Sequence, residues 1–159
     1  MEHSEGHTPT PRLLDRARRY CAAQEQCEHA VRQKLAAWGA EPGEAGLVVE
    51  SLREEGYLDD VRYARAFCES KMLRGGWGRR RVEAALRAKR LSAEAIAEGL
   101  SAVDDDRYFE TLTAEAAKKL RLLGGGSDAA TRQRLSAFLA SRGYTMEEIH
   151  QVITNNLQQ

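Results

Sequence analysis

Three stretches of this chain share one apolar pattern and align without internal gaps. In the first stretch, Leu35 is followed by Ala45 and Val49. The pattern returns 51 residues later and again after a further 53 residues. The later copies place Leu86, Ile96 and Leu100, and then Leu139, Ile149 and Ile153, at the same positions. A repeat of this length is a supersecondary unit that buries its apolar face against its neighbours. The pattern predicts an array with a long binding surface rather than an enzyme with a pocket.

The spacing of apolar residues predicts helices along the whole chain. Apolar residues recur three and four positions apart in nine strips, and no segment alternates as a half-buried strand does. We therefore predict an all-α fold of three tandem three-helix repeats that form an elongated, curved array. The predicted units are a disordered tail at residues 1–10 and repeats at residues 11–57, 58–103 and 104–159.

Residues between the strips fit helix starts. Asp59 and Asp104 each open an acidic run that precedes an Arg-Tyr pair. A carboxylate at this place accepts the free N–H groups of the first helical turn. Thr145 and Glu148 have the spacing of a capping box. For the aspartates, this position favours capping over a metal site or an acid–base pair.

Glycines mark where the second helix of a repeat ends. Gly39 and Gly143 stand there in register, and this position favours a residue in the left-handed conformation. Arg90 stands at the same position in the second repeat, so we expect that turn to be built differently.

A glycine-rich, basic segment runs from Gly75 to Arg79 but lacks the Lys-Ser/Thr ending of a phosphate loop. We interpret it as the turn that ends the first helix of the second repeat, with Trp77 as its anchor. Gly124 to Gly126 is expected to be the matching loop of the third repeat, and a mobile one.

The sequence shows no pattern of catalytic or metal-ligating residues. His3 and His7 are four residues apart but lie in the predicted disordered tail, the other two histidines are far apart, and the three cysteines lack the paired spacing of zinc ligands. An odd number of cysteines also disfavours a disulfide framework, which fits a reducing cytoplasm. No apolar run approaches the roughly 18 residues that span a membrane. We expect no catalytic residue, no metal, no cofactor and no membrane partner.

The net charge is zero, but the basic residues are concentrated in the middle of the chain. Residues 61–90 carry ten Lys or Arg and two Asp or Glu, whereas residues 1–60 and 91–159 have net charges of −5 and −3. Seven arginines of the middle segment lie off the apolar strips and should be exposed. They are Arg62, Arg65, Arg74, Arg79, Arg80, Arg87 and Arg90. We predict that they form the partner- or DNA-binding surface.

A basic surface of this kind fits either the phosphate backbone of a nucleic acid or an acidic groove of a protein. The segment Arg79 to Arg90 contains no Asn or Gln, which favours backbone contacts over base reading. A stand-alone DNA-binding module that resembles helix-turn-helix domains stays open as the alternative. A general helical-repeat adaptor is a weaker one.

A dense group of motifs lies between Glu54 and Leu91. Its elements are Gly56-Tyr57-Leu58-Asp59-Asp60, Arg62-Tyr63-Ala64 with Phe67, Arg74-Gly75 with Gly76-Trp77-Gly78, and Arg80 with Val82 and Leu86. This group resembles the central signature of the bacterial RecX regulatory family. The first repeat resembles the family more loosely, because Cys27-Glu28-His29 stands where the family has a hydroxyl residue followed by basic residues. The third repeat agrees chiefly in its apolar frame.

The resemblance implies a non-enzymatic regulator that binds the RecA recombinase filament. Members of the family lie along the filament groove and inhibit ATP hydrolysis, strand exchange and co-protease activity, which links them to DNA repair and the SOS response. Single-stranded DNA would be contacted through the filament, and direct DNA binding is expected to be weak. We expect a cytoplasmic monomer, since repeat arrays with polar ends seldom associate.

Overall fold

The chain is helical throughout the residues that the structure, a computed structural model, describes, which are residues 11–157. Within that range there are nine α-helices and no strand, as the sequence predicts. The helices are α1 (Pro11–Ala23), α2 (Glu28–Ala37), α3 (Pro42–Glu54), α4 (Asp60–Cys68), α5 (Arg79–Ala88), α6 (Ala93–Ser101), α7 (Asp105–Leu122), α8 (Ala129–Ser141) and α9 (Met146–Leu157). A π-helical segment, Glu69–Arg74, continues α4 without a break.

The helices group in threes, and we refer to α1–α3, α4–α6 and α7–α9 as repeats one, two and three. The predicted boundaries at 57/58 and 103/104 fall in the loops before α4 and α7. That each repeat is a domain of its own stays a prediction. The predicted tail at residues 1–10 lies outside the described residues.

The predicted helix caps are confirmed. The Asp59 carboxylate accepts the backbone N–H of Arg62 at 3.1 Å, and Asp104 caps α7 in the same manner. At the start of α9 the Thr145 hydroxyl accepts the backbone N–H of Glu148 at 3.1 Å. The Glu148 carboxylate in turn accepts the backbone N–H of Thr145 at 2.8 Å, which completes the capping box.

The expectation of a different turn at Arg90 is wrong. Its φ is +60°, close to the values of +89° at Gly39 and +98° at Gly143. Its backbone N–H donates to the carbonyl of Arg87, and the N–H of Leu91 donates to the carbonyl of Leu86. Both glycine turns have the same pair of hydrogen bonds, the Schellman pattern. Those bonds and the burial of Leu91 outweigh the roughly 1–2 kcal/mol that a left-handed conformation costs a non-glycine residue.

The π-helical segment was not predicted, and it explains the glycines that follow it. Its widened turn is closed by a hydrogen bond from the N–H of Gly75 to the carbonyl of Ser70. A Cβ atom on Gly75 would lie 2.7 Å from the carbonyl oxygen of Lys71. Trp77 packs edge-on against Phe67 with ring centres 6.2 Å apart, and it thereby anchors the turn as predicted.

Buried apolar side chains form two clusters in the described residues, although the chain has three repeats. One cluster lies entirely within residues 17–58, in repeat one and the loop that follows it. The other is shared by repeats two and three, and Cys27 of repeat one inserts into it. Side-chain hydrogen bonds and ion pairs of the described residues join repeat one to repeat two and repeat two to repeat three, but never one to three. The repeats are therefore arranged in line, with repeat two in the middle.

Candidate partner-binding surface of repeat two

The seven predicted arginines do not have the same surroundings. Six of them are exposed, as predicted: Arg62, Arg65, Arg74, Arg80, Arg87 and Arg90. The side chain of Arg79 is only 33% exposed. Repeat two thus carries a basic surface, and one of its expected members, Arg79, is partly covered.

Arg79 joins repeats two and three. Its guanidinium lies over the ring of the buried Tyr108, 4.0 Å from the ring centre, and pairs with Asp105. It also lies 3.8 Å from the carboxylate of Glu148, which is nearly buried. The Tyr108 hydroxyl accepts the backbone N–H of Arg79 at 3.2 Å. Arg79 is therefore less exposed than predicted, because an aromatic ring and two carboxylates of repeat three contact its guanidinium.

Three of the exposed arginines have carboxylate partners at the surface. Arg62 pairs with Glu25 of repeat one at 2.6 Å. Arg65 pairs with Glu98 of α6 at 3.1 Å, and Arg87 pairs with Glu83 one turn earlier on α5 at 2.7 Å. Exposed pairs contribute about 0–1 kcal/mol each, so an anionic partner can displace them at little cost.

Arg74, Arg80 and Arg90 have no ion-pair partner among residues 11–157, and we call them the free arginines. Arg74 ends the π-helical segment, and Arg80 lies in the first turn of α5. Arg90 follows α5, in the left-handed conformation described above. Unlike the paired arginines, these side chains have no carboxylate of the described residues within the 4 Å of an ion pair.

Two further cations belong to this surface and were missed by sequence reasoning. The guanidinium of Arg81 lies 3.9 Å from the ring centre of Trp77, and the ammonium of Lys71 lies 4.9 Å from it. Stacking on an aromatic ring orients a cation without neutralising it. Trp77 lies in the loop before α5, so no helical spacing in the sequence signals this pair.

The described residues show no arrangement suited to metal binding. No group of three or more His, Cys, Asp or Glu side chains among them could hold a metal ion. Cys21, Cys27 and Cys68 are buried and free of disulfides. Burial raises the pKa of the Cys68 thiol to about 11, so this thiol is protonated at neutral pH and a poor nucleophile.

No helix of residues 11–157 combines the length that a membrane span needs with sufficient apolar character.

Comparison with known families matches two separate segments of the chain. Residues 59–100 match the second three-helix domain of RecX, and residues 105–153 match its third three-helix domain. These segments contain α4–α6 and α7–α9 together with all seven predicted arginines.

Curated relatives and solved structures agree with these matches. The chain is 33% identical to the regulatory protein RecX of Halorhodospira halophila, over 92% of this chain and 89% of the relative. It is 31% identical to the regulatory protein RecX of Chromohalobacter salexigens, over 92% of both chains. The crystal structure of RecX from Lactobacillus salivarius superposes with a TM-score of 0.83 over 92% of this chain and 95% of that chain, at 17% identity. The chain belongs to the RecX family of regulatory proteins.

Proposed function

We propose that this protein is a non-enzymatic regulator that binds RecA–single-stranded-DNA filaments through repeat two. Binding inhibits the ATP hydrolysis, strand exchange and co-protease activity of the recombinase. Family membership supports the regulatory role, and the linear order of the repeats supports a partner that is itself a polymer. Contacts spread along such an array add up to strong binding even where each contact is weak.

The observation that carries this proposal is the set of free arginines. Arg74, Arg80 and Arg90 are exposed and unpaired in the described part of the chain, within the segment that carries the family signature. Arg90 adopts the left-handed conformation, which costs conformational free energy for arginine but not for the glycines at the same position in the other repeats. Strain at an exposed position where glycine would suffice is typical of a side chain that makes a functional contact.

Inhibition follows if the bound protein prefers one state of the filament. A regulator shifts an equilibrium only by the difference between its affinities for the two states. A rigid body held against neighbouring recombinase subunits has this property, because the subunits must move relative to one another during each ATPase cycle.

A titration of RecA ATPase activity tests the proposal. RecA is assembled on circular single-stranded DNA with ATP, and the protein is added from far below to equal the recombinase concentration. We expect hydrolysis to fall well before one regulator per recombinase subunit is reached. Unchanged hydrolysis and strand exchange up to equimolar protein would contradict the proposed function.

A variant with Arg74→Gln, Arg80→Gln and Arg90→Gln locates the surface. Gln keeps the length and helix propensity of the side chain and removes its charge. Inhibition should require at least tenfold more of this variant, whereas Arg107→Gln, Arg132→Gln and Arg134→Gln in repeat three should act as wild type. Equal inhibition by the two variants would remove repeat two from the interface.

The alternative is a stand-alone DNA-binding module. A gel shift on naked duplex DNA with scrambled competitor distinguishes it from the proposed regulator, because it measures whether the protein binds DNA in the absence of RecA. Retention of one particular sequence would favour that alternative. Its requirement for base-reading side chains is poorly met by α5, whose exposed polar residues are arginines and one glutamate.

A further inference from the structure

Repeat one carries a row of arginines that the proposed function does not use. Arg12, Arg16 and Arg19 follow one another on α1 at steps of four and three residues, so they lie on one face of the helix. All three are exposed, and none has an ion-pair partner in the described part of the chain. Arg18 on the same helix is different, because it pairs with Glu55 at 2.6 Å. The row is about 10 Å long, since each helical residue adds about 1.5 Å.

A groove of about 450 Å³ lies beside this row. The three arginines line one side of it, and Trp38 and Gly39 in the turn after α2 line another. Glu44 of α3 also lines the groove, so its charged side chains are three arginines and one carboxylate. The guanidinium carbon of Arg16 is 4.1 Å from the centre of the Trp38 ring, so the two groups are stacked. Stacking fixes the plane of the guanidinium and leaves its N–H groups directed sideways, where they can donate to a ligand.

Repeat three also has cations stacked on an aromatic ring between its first and second helices. Trp38 stands at the end of the second helix of its repeat, in register with Arg142. The Arg142 guanidinium lies 5.3 Å from the ring centre of Phe138, and the Lys119 ammonium lies 4.8 Å from it. The groove between the first and second helices therefore holds ring-stacked cations in two repeats, although different residues supply them.

The chemistry of the groove in repeat one fits phosphate better than a protein surface. Arginine forks donate two parallel hydrogen bonds to phosphate oxygens. Leu13 is half-buried, Arg16 stacks on the Trp38 ring, and no other large apolar side chain lines the groove, so it lacks the cluster of apolar side chains that forms the core of a protein interface. A flexible single strand can follow a groove of this size, and basic grooves with aromatic walls are typical of single-strand binding.

We propose that this groove binds the phosphodiester backbone of single-stranded DNA, with Arg12, Arg16 and Arg19 each contacting a phosphate. The site lies on repeat one and goes beyond the proposed function, which rests on repeat two. A strand held here would be bound whether or not recombinase is present.

The test measures binding of the full chain to fluorescein-labelled oligothymidine of about 30 nucleotides by anisotropy, between roughly 50 and 200 mM salt. Each phosphate contact on a single strand contributes about −0.7 to the slope of log affinity against log salt. The variant with Arg12→Gln, Arg16→Gln and Arg19→Gln should therefore lose about 2 units of slope and bind at least tenfold more weakly at low salt. Circular dichroism and thermal melting of each variant establish that its fold is intact.

The matched control is the repeat-three variant with Arg107→Gln, Arg132→Gln and Arg134→Gln, which removes the same charge from exposed sites. Its slope should stay at the wild-type value. Equal loss in both variants would show a nonspecific effect of net charge and would overturn the site. An unchanged slope in the groove variant is the result expected for an acidic protein ligand, and it would overturn the proposal as well. Recombinase is not present, so this result is independent of the ATPase titration.

Tryptophan emission gives a second, local readout. The chain contains two tryptophans, so Trp77→Phe leaves Trp38 as the only one. Oligothymidine should change the emission of Trp38, because a phosphate contact by Arg16 alters the stacking on its ring. Emission that stays constant at DNA concentrations giving full anisotropy change would place the strand elsewhere.

Discussion

The two junctions between repeats differ in the kind of group that makes the contact. Between repeats two and three, backbone groups of the two repeats form hydrogen bonds with each other. The Gly78 N–H donates to the carbonyl of Arg142 at 2.7 Å, and the buried Tyr144 hydroxyl donates to the carbonyl of Gly76 at 3.0 Å. The apolar cluster continues across this junction without interruption.

Between repeats one and two, side chains make most of the contact. The Glu25 and Arg62 side chains form an ion pair, and the Asp60 carboxylate accepts the backbone N–H of Glu28 at 2.9 Å. Cys27 is the one residue of repeat one that lies fully in the second apolar cluster. The second carboxylate oxygen of Glu25 is buried without a hydrogen-bond partner.

This difference indicates two mechanical units rather than three. A buried backbone junction with a shared core resists opening, whereas exposed ion pairs contribute little. Repeats two and three should therefore unfold together and present the free arginines on a rigid body. Repeat one should open separately, so that it can reorient while repeat two stays bound.

The largest effect is expected from Gly78→Ala. A Cβ atom there would lie 2.2 Å from the carbonyl carbon of Gly143, so backbone must move and the junction between repeats two and three opens. We expect a loss of about 3 kcal/mol or more in the free energy of unfolding, measured by urea denaturation. Gly46→Ala in α3 is the control, since it meets nothing within 4 Å and should stabilise by about 0.5–1 kcal/mol. Similar small changes in both variants would contradict the tight junction.

The second-largest effect is expected from alkaline pH, which should destabilise the apolar cluster that repeats two and three share. The pKa of the Cys68 thiol is raised from 9.0 to about 11 because burial disfavours the thiolate. A raised folded-state pKa gives stability that is complete below pH 9 and lost as the pH rises through 11, up to about 3 kcal/mol. Urea denaturation of wild type and Cys68→Ala between these pH values isolates this contribution, because the tyrosines titrate in both proteins. Parallel pH profiles would be the contrary outcome.

Arg90→Gly sharpens the comparison between the turns. Glycine adopts the left-handed conformation freely, so this variant should gain about 1 kcal/mol in stability while it inhibits RecA less well. Gly39→Arg is the mirror change in repeat one, where nothing lies within 4 Å of a new Cβ atom. It should lose a similar amount of stability, which measures the cost of the left-handed conformation in a second turn. Arg90→Gly with full inhibitory activity would show that the strain at Arg90 has no functional role.

The smallest effect is expected at the polar junction. Arg62→Ala removes the ion pair with Glu25 and should cost only about 0.5 kcal/mol of global stability. Hydrogen exchange should nevertheless become faster in α1–α3 and stay unchanged in α7–α9. Faster exchange throughout the molecule would mean that all three repeats form one cooperative unit.

The sequence predicts the helices and their caps because these depend on local patterns. Asp59 and Thr145 cap their helices by contacts within three residues, and such contacts can be inferred from spacing alone. The role of Arg79 could not be inferred, because its ring and carboxylate partners lie 26 or more residues away. Arg90 was misjudged for a related reason, since its conformation is stabilised by the burial of Leu91 and not by its own preference.

Hydrogen exchange of the chain, free and bound to RecA–single-stranded-DNA filaments, tests the central claim that repeat two makes the functional contact on a body it shares with repeat three. In the free chain, α4–α9 should exchange as one slow unit and α1–α3 should exchange faster. On the filament, additional protection should appear in residues 74–90. Unchanged exchange across residues 74–90 with protection elsewhere would contradict the account.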